Sequence, residues 1–206
     1  MTPVRSDVFK QTYEKYLNQI RQIDFLLKAN VLGLEREKDS LVIPVYNTYY
    51  RFNSNGIVTE DDKELSVPLQ VILCKYILTA SMEPIASENR WQTYREFKDA
   101  APLVSYFTTN TTLIIENTFA GKVQALKNRC EEVGGKAQET EVYDLSFRFH
   151  ALPRIPVIVN FNDSDEMFPA ACSLLFHLSA GNYLDMECLA MTGTLLASIL
   201  TDSVIL

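Results

Sequence analysis

The sequence predicts an α+β protein with a largely antiparallel sheet covered by helices, and three observations carry that prediction. Strand-forming residues crowd between Leu41 and Thr59, with turn signals inside the run. Tyr143, Leu145, Phe147 and Phe149 alternate with Asp144, Ser146, Arg148 and His150, the period of two of a half-buried strand. The strands come as hairpins, with helical periodicities before, between and after them, rather than alternating one by one with helices.

The elements follow in order. Residues Ser6 to about Lys28 predict an amphipathic helix: Phe9, Tyr13, Tyr16, Ile20, Ile23 and Leu27 form an a/d seam. Lys10–Glu14 and Asp24–Lys28 pair on its outer faces. Gly33 ends the segment. The seam packs on the protein's own core, or alternatively joins two copies as a homodimer through helix 6–28. Val42, Ile43, Val45, Tyr46, Tyr49, Tyr50 and Phe52, with turns at Asn47-Thr48 and Asn55-Gly56, predict a meander of three short strands. The acidic run Glu60 to Glu64 reads as a solvated loop. Ser66 and Pro68 start a helix that buries Leu69, Ile72, Leu73, Tyr76 and Ile77.

A loop containing Pro84 follows, from Met82 to Arg90. Trp91 opens a short extended piece and a helical turn at an edge of the core. Thr109 to Val133 predicts one long helix with Leu113, Ile114, Phe119, Val123 and Leu126 inward, stopped by Gly134-Gly135. The alternating strand at 143–150 turns at Ala151–Arg154 and returns as Pro156 to Phe161. Two helices end the chain, from Phe168-Pro169 to about Ser179 and from Leu184 to about Leu200, joined at Ala180-Gly181-Asn182. With 206 residues and no Pro-, Ser- or Gly-rich linker, residues 1–206 read as a single domain, with helix 6–28 as an appendage.

Composition excludes several functions. A 47% hydrophobic and 22% charged chain is ordinary for a water-soluble protein. Net charge −7 with no basic cluster argues against nucleic acid and against anionic membranes as partners. No signal-peptide core and no run long enough to span a bilayer is visible, which predicts a cytoplasmic protein. Cys74, Cys130, Cys172 and Cys188 are scattered and only two histidines exist, so a zinc or iron–sulfur site is not expected. Nucleotide-binding, serine-hydrolase, kinase and H-E-x-x-H signatures are absent from the sequence.

One polar cluster stands out. Asn160, Asn162, Asp163, Asp165 and Glu166 lie where the strand Pro156–Phe161 hands over to the helix after Pro169. Oxygen side chains there suit a divalent cation, with Asp163 and Asp165 as the metal ligands if any, or a polar ligand. The same residues suit a turn and a helix N-cap. Without a following Gly and a twelfth-position acid, the run is no EF-hand. Arg148 and His150 lie on the adjacent strand as a source of positive charge for the rim, although the Ala151–Arg154 turn puts them nearer its opposite end. Cys172 and His177 sit at a helical spacing that turns them away from each other. Cys172 falls on the core face of that helix, with a first-turn dipole to lower its thiol pKa. His150 reads as a surface residue.

The segments TYYRFNSNGIV, LQVILCKYILTAS, RWQTYREFKDA and IPVIVNFNDSDEMFPAACSLLFHLSAGNYLDMECLA, in that order and spacing, resemble an uncharacterised prokaryotic family, domain of unknown function 3786. The resemblance spans roughly residues 30 to 200 and implies no activity, substrate or cofactor. Some relatives look associated with iron–sulfur or corrinoid proteins of anaerobes, but the Cys-rich segment this would need is not in this sequence. The expectation is a cytosolic accessory domain binding a small ligand or a protein partner, in anaerobic cofactor metabolism. The alternative is a metal-dependent hydrolase or lyase using the acidic cluster at 163–166.

Overall fold

The computed structural model describes residues 3–58, 65–80 and 89–202, and side chains from residue 10 onward. The acidic run at 60–64 and most of the Pro84 loop lie outside the described residues. The architecture is α+β, with two antiparallel sheets, of four and five strands, packed among helices.

Helix α1 (Pro3–Ile20) is shorter than its periodicity predicts. It stops at Ile20, and two short helical turns, Phe25–Lys28 and Ala29–Leu32, follow. Leu17 and Ile20 are buried and Tyr13 and Tyr16 half-buried, whereas Leu27 is 60% exposed and Ile23 also faces outward. The seam thus breaks after Ile20, and Phe25 takes over by stacking edge-on against Phe52 at 5.8 Å. The break is set by what Lys28 does. Its ammonium reaches the carbonyls of Ile77, Leu78 and Ala80 at 2.8, 3.1 and 3.0 Å, not Asp24. Those carbonyls end a later helix and have no partner within it. Gly33 then closes the segment at φ +69°.

The meander has four strands, one more than the sequence predicts: β1 (Glu35–Glu37), β2 (Ser40–Val45), β3 (Thr48–Asn53) and β4 (Gly56–Val58), in that spatial order. Leu41, Ile43, Val45 and Phe52 are buried. The first turn is Tyr46-Asn47, because Val45 faces Thr48. Tyr46 takes φ +53°, unusual for a bulky residue. Its N–H donates to the Ala151 carbonyl at 3.2 Å and its hydroxyl to the Thr192 carbonyl at 2.6 Å, which together hold the strained conformation.

Helix α2 (Val67–Thr79) starts after Ser66 and buries Leu69, Ile72, Leu73, Tyr76 and Ile77, as its sequence predicts. It packs along α1. After β5 (Trp91–Thr93) and a capped 3-10 turn, the stretch predicted as one helix is divided. Val104–Phe107, a π-helical turn Thr108–Thr112 and α3 (Leu113–Phe119) run on continuously. The chain then breaks at Gly121, φ +72°, before α4 (Val123–Glu132). Gly134, φ +85°, ends α4.

The second sheet comprises β5, β6 (Lys136–Ala137), β7 (Leu145–Leu152), β8 (Ile155–Asn162) and β9 (Ala171–His177), in the order β5-β9-β8-β7-β6. The meander and the 145–162 hairpin therefore lie in two sheets, not one. The larger correction concerns residues 168–179, predicted helical. They form β9, paired antiparallel along the length of β8, and a 3-10 turn Leu178–Asn182. The buried Leu174 and Phe176, with Cys172 on the same side, have the period of a strand. Helix α5 (Met186–Thr201) closes the fold. Asp185 caps it, accepting from Cys188 N–H at 2.9 Å and pairing with Lys75 at 2.8 Å. At its far end the Arg129 guanidinium donates to the Ile199 carbonyl at 3.1 and 2.8 Å.

Two substitutions test this packing. Tyr76 donates to the Leu32 carbonyl at 2.7 Å and accepts from Arg154 N–H at 3.1 Å. Tyr76→Phe leaves both groups without that partner, so urea denaturation should show a loss of about 1–3 kcal/mol. Gly193 sits where an added Cβ would lie 2.5 Å from the Phe107 ring. Gly193→Ala should therefore lower Tm, despite the ~1 kcal/mol that alanine gains over glycine in a helix.

Candidate functional site

Replacing the predicted helix by β9 changes the character of the acidic cluster. Residues 163–170 are the loop of a β-hairpin between β8 and β9, so no helix N-terminus is available to a ligand there. The loop is built from its own side chains. Asp163 Oδ1 accepts from Gly121 N–H at 2.6 Å and from Ser164 N–H at 2.8 Å. Asp163 N–H donates to Asp144 Oδ2 at 2.8 Å, and Asp144 N–H to Asn162 Oδ1 at 3.1 Å. Asp165 Oδ1 accepts from both Met167 and Phe168 N–H at 2.7 Å, while Asp165 N–H donates to the Phe168 carbonyl at 3.0 Å. Short polar side chains bonding backbone two or three residues on are the ordinary means of shaping a tight loop.

Asn160 is separated from the other candidates. It is buried within the sheet, where its Oδ1 accepts from Ser146 Oγ at 2.7 Å. Glu166 and Asp165 are exposed, and Asp163 and Asn162 are half-buried. An open groove of about 450 Å³ lies between α4 and the 137–147 segment, with Val123, Lys127, Glu139 and Tyr143 in its walls. Asn160, Asn162, Asp163, Asp165 and Glu166 do not line it. Among the described residues, no group of three His, Cys, Asp or Glu side chains is placed to hold a metal ion. Beside the exposed Asp165 and Glu166, the loop also presents apolar groups to solvent: Met167 is 80% and Phe168 65% exposed.

Each of the four thiols is shifted by burial. Burial pushes the thiols of Cys74 and Cys130 up to about 12, and those of Cys172 and Cys188 also up. For Cys172 the neighbouring Glu116 adds to burial, and its place in a strand removes the helix dipole expected to act in the opposite direction. His177 ends β9, and its Nδ1 lies 2.7 Å from Ser179 Oγ and 3.3 Å from the Ser179 backbone nitrogen. His150 is exposed, as expected, and its pKa is lowered by partial burial and by the charges of Arg148 and Lys136.

Residues 24–198 of the chain match the family model Domain of unknown function (DUF3786). The chain belongs to this family. No curated protein and no solved structure matches it. In this DUF3786 protein no helix of the described residues is long and apolar enough to cross a membrane.

Sequence reasoning missed Gly121, whose N–H anchors Asp163 across the fold; an isolated Gly within a helical pattern was the available signal. The anchoring of the loop sets a pH dependence. Slight burial works to raise the Asp163 pKa, but N–H donors from Gly121, Ser164 and Val123 override it and hold the carboxyl below its ordinary 3.8. A depressed carboxylate stabilises the fold above its unfolded pKa, and that contribution is lost as pH falls through the lower folded value. Asp163→Ala should therefore destabilise the protein by about 1 kcal/mol at neutral pH. As pH falls through that lowered value the difference from wild type should shrink in denaturation curves.

Proposed function

We propose that this protein is a non-enzymatic accessory domain of the cytoplasm that binds a protein partner through the 163–170 loop. The observation that carries this reading is the use of the acidic side chains. Asp163 and Asp165 are spent on backbone N–H groups, and the loop they fix displays Met167 and Phe168 to solvent. Ordering an interface loop costs free energy on binding, so a loop already held in shape presents apolar anchors at a smaller entropic cost. Neighbouring large side chains exposed together are typical of interaction sites. Raised thiol pKa values and the acidic composition support a binding role without nucleophilic chemistry or nucleic acid.

The metal-dependent hydrolase or lyase remains the competing reading, with Asp163, Asp165 and Glu166 as ligands. One experiment separates them. The purified protein is heated with Mg²⁺, Mn²⁺, Ca²⁺ or Zn²⁺, and in parallel a photo-crosslinking amino acid is placed at Met167 in the producing cells. The accessory reading expects no metal-dependent rise in Tm and a discrete crosslinked product that Phe168→Asp abolishes. A metal-specific rise removed by Asp163→Asn, without any crosslink, would establish the metal site instead.

A further inference from the structure

The second sheet has two unlike faces. Its inner face carries Phe147, Phe149, Val157, Val159, Leu174 and Phe176, all buried under the helices. Strand alternation puts Arg148, His150, Ile158, Leu175 and His177 on the other face. Trp91 joins them from β5, opposite His177, and Lys136 from β6, opposite Arg148. These outward residues are half-buried or exposed, whereas Ser146 and Asn160, further along the same face, are buried and bonded to each other.

At its centre Arg148 lies over the Trp91 ring, 5.4 Å from guanidinium carbon to centroid, and Trp91 meets His177 edge-on at 5.5 Å. Stacking of this kind holds a cation flat and pre-organised. Yet Arg148 Nε is buried and has no acceptor among the described residues. A guanidinium takes a carboxylate side-on through Nε and one Nη, so the orphaned Nε–H is half of a fork left unfilled. Lys136 and His150 flank it and are exposed. Two nearby carboxylates are bonded elsewhere: Asp144 accepts from Asp163 N–H, and Glu96 from the N–H and hydroxyl of Thr93.

A cationic island on a chain of net charge −7 selects its occupant. An acidic partner is repelled by the protein as a whole and finds opposite charge here. A sheet face suits a protein segment better than it suits a small molecule, which takes an enclosed cleft. We propose that this outward face is a docking surface for an acidic segment of a partner protein, with Arg148 on Trp91 as its anchor and Lys136 and His150 as its rim. Engagement lifts the guanidinium from the indole so that Nε and Nη close on a carboxylate. The inference needs nothing from the 163–170 loop, and its failure leaves the crosslinking result above untouched.

Trp91 is the one tryptophan of the chain, so its emission reports on this face alone. The probe is a dye-labelled peptide of about ten glutamates, titrated at low salt while Trp91 emission and dye anisotropy are followed. Saturable binding with a change in Trp91 emission is expected, weakened at least about tenfold by Arg148→Gln and also by raising salt. Circular dichroism verifies that the variant is folded. Should Arg148→Gln fail to fold, the double variant Lys136→Glu with His150→Glu, at two exposed positions, should abolish binding. Inorganic phosphate is titrated separately. An unchanged Trp91 emission with the peptide, or equal affinity in the variants, overturns the proposal. So does saturation of the same signal by phosphate alone, which would make the face a site for free oxyanions.

Discussion

The hydroxyl of Tyr76 is where segments remote in sequence are tied together. Tyr76 sits in the middle of α2, is fully buried, and yet must satisfy a polar group. It does so by donating to Leu32 at the end of the N-terminal helical turns and accepting from Arg154 in the β7–β8 turn. The Arg154 side chain returns to the same place, donating to the carbonyls of Val31 and Asn30 at 2.9 and 3.0 Å. Gly33 lets the chain pass because a Cβ there would press on Pro153 and Arg154 at 3.3 Å. One phenol thereby fixes how the N-terminal segment, α2 and the second sheet's main hairpin meet. Burial pushes its pKa up, so it stays a neutral donor at any physiological pH.

The same device recurs. Tyr46 reaches from the meander to the Thr192 carbonyl within α5, and Tyr94 reaches the Met186 carbonyl in the first turn of α5. In each case a large apolar ring fills the interior while its hydroxyl finds a backbone acceptor on another element. Lys28 and Arg129 do the corresponding work with charge, closing the C-terminal ends of α2 and α5. The fold is thus held by burial and specified by a few long-range polar contacts whose partners must be in register for any to form.

Among the described residues, two regions stand out for side chains that these contacts do not use. One is the tip of the 163–170 loop, where polar groups are spent and apolar ones exposed. The other is the outward face of the second sheet, where the Arg148 donor lacks an acceptor beside an aromatic ring. Their chemistry differs, apolar at one and cationic at the other.

The fold class, the meander, the 145–162 hairpin and helices α2 and α5 were legible in the sequence, because each is governed by local signals. Asn55-Gly56 permits a tight turn, the Phe147–Phe149 alternation matches a pleat, and Ser66-Pro68 starts a helix. The family resemblance was legible too, from ordered segments. What failed depended on partners distant in sequence. Ala171–His177 follows a helix-start signal at Pro169, but β8 offers a full row of backbone hydrogen bonds and a buried place for Leu174 and Phe176. Tertiary pairing outweighs a local preference worth only tenths of a kcal/mol per residue. The seam at 9–27 breaks at Ile20, and Lys28 closes α2 instead of pairing with Asp24. The density of polar residues at 160–166 is read directly from the sequence. Whether oxygen atoms in such a cluster face a ligand or their own backbone is decided by three-dimensional neighbours, here Gly121 and Asp144, which no spacing in the sequence reveals.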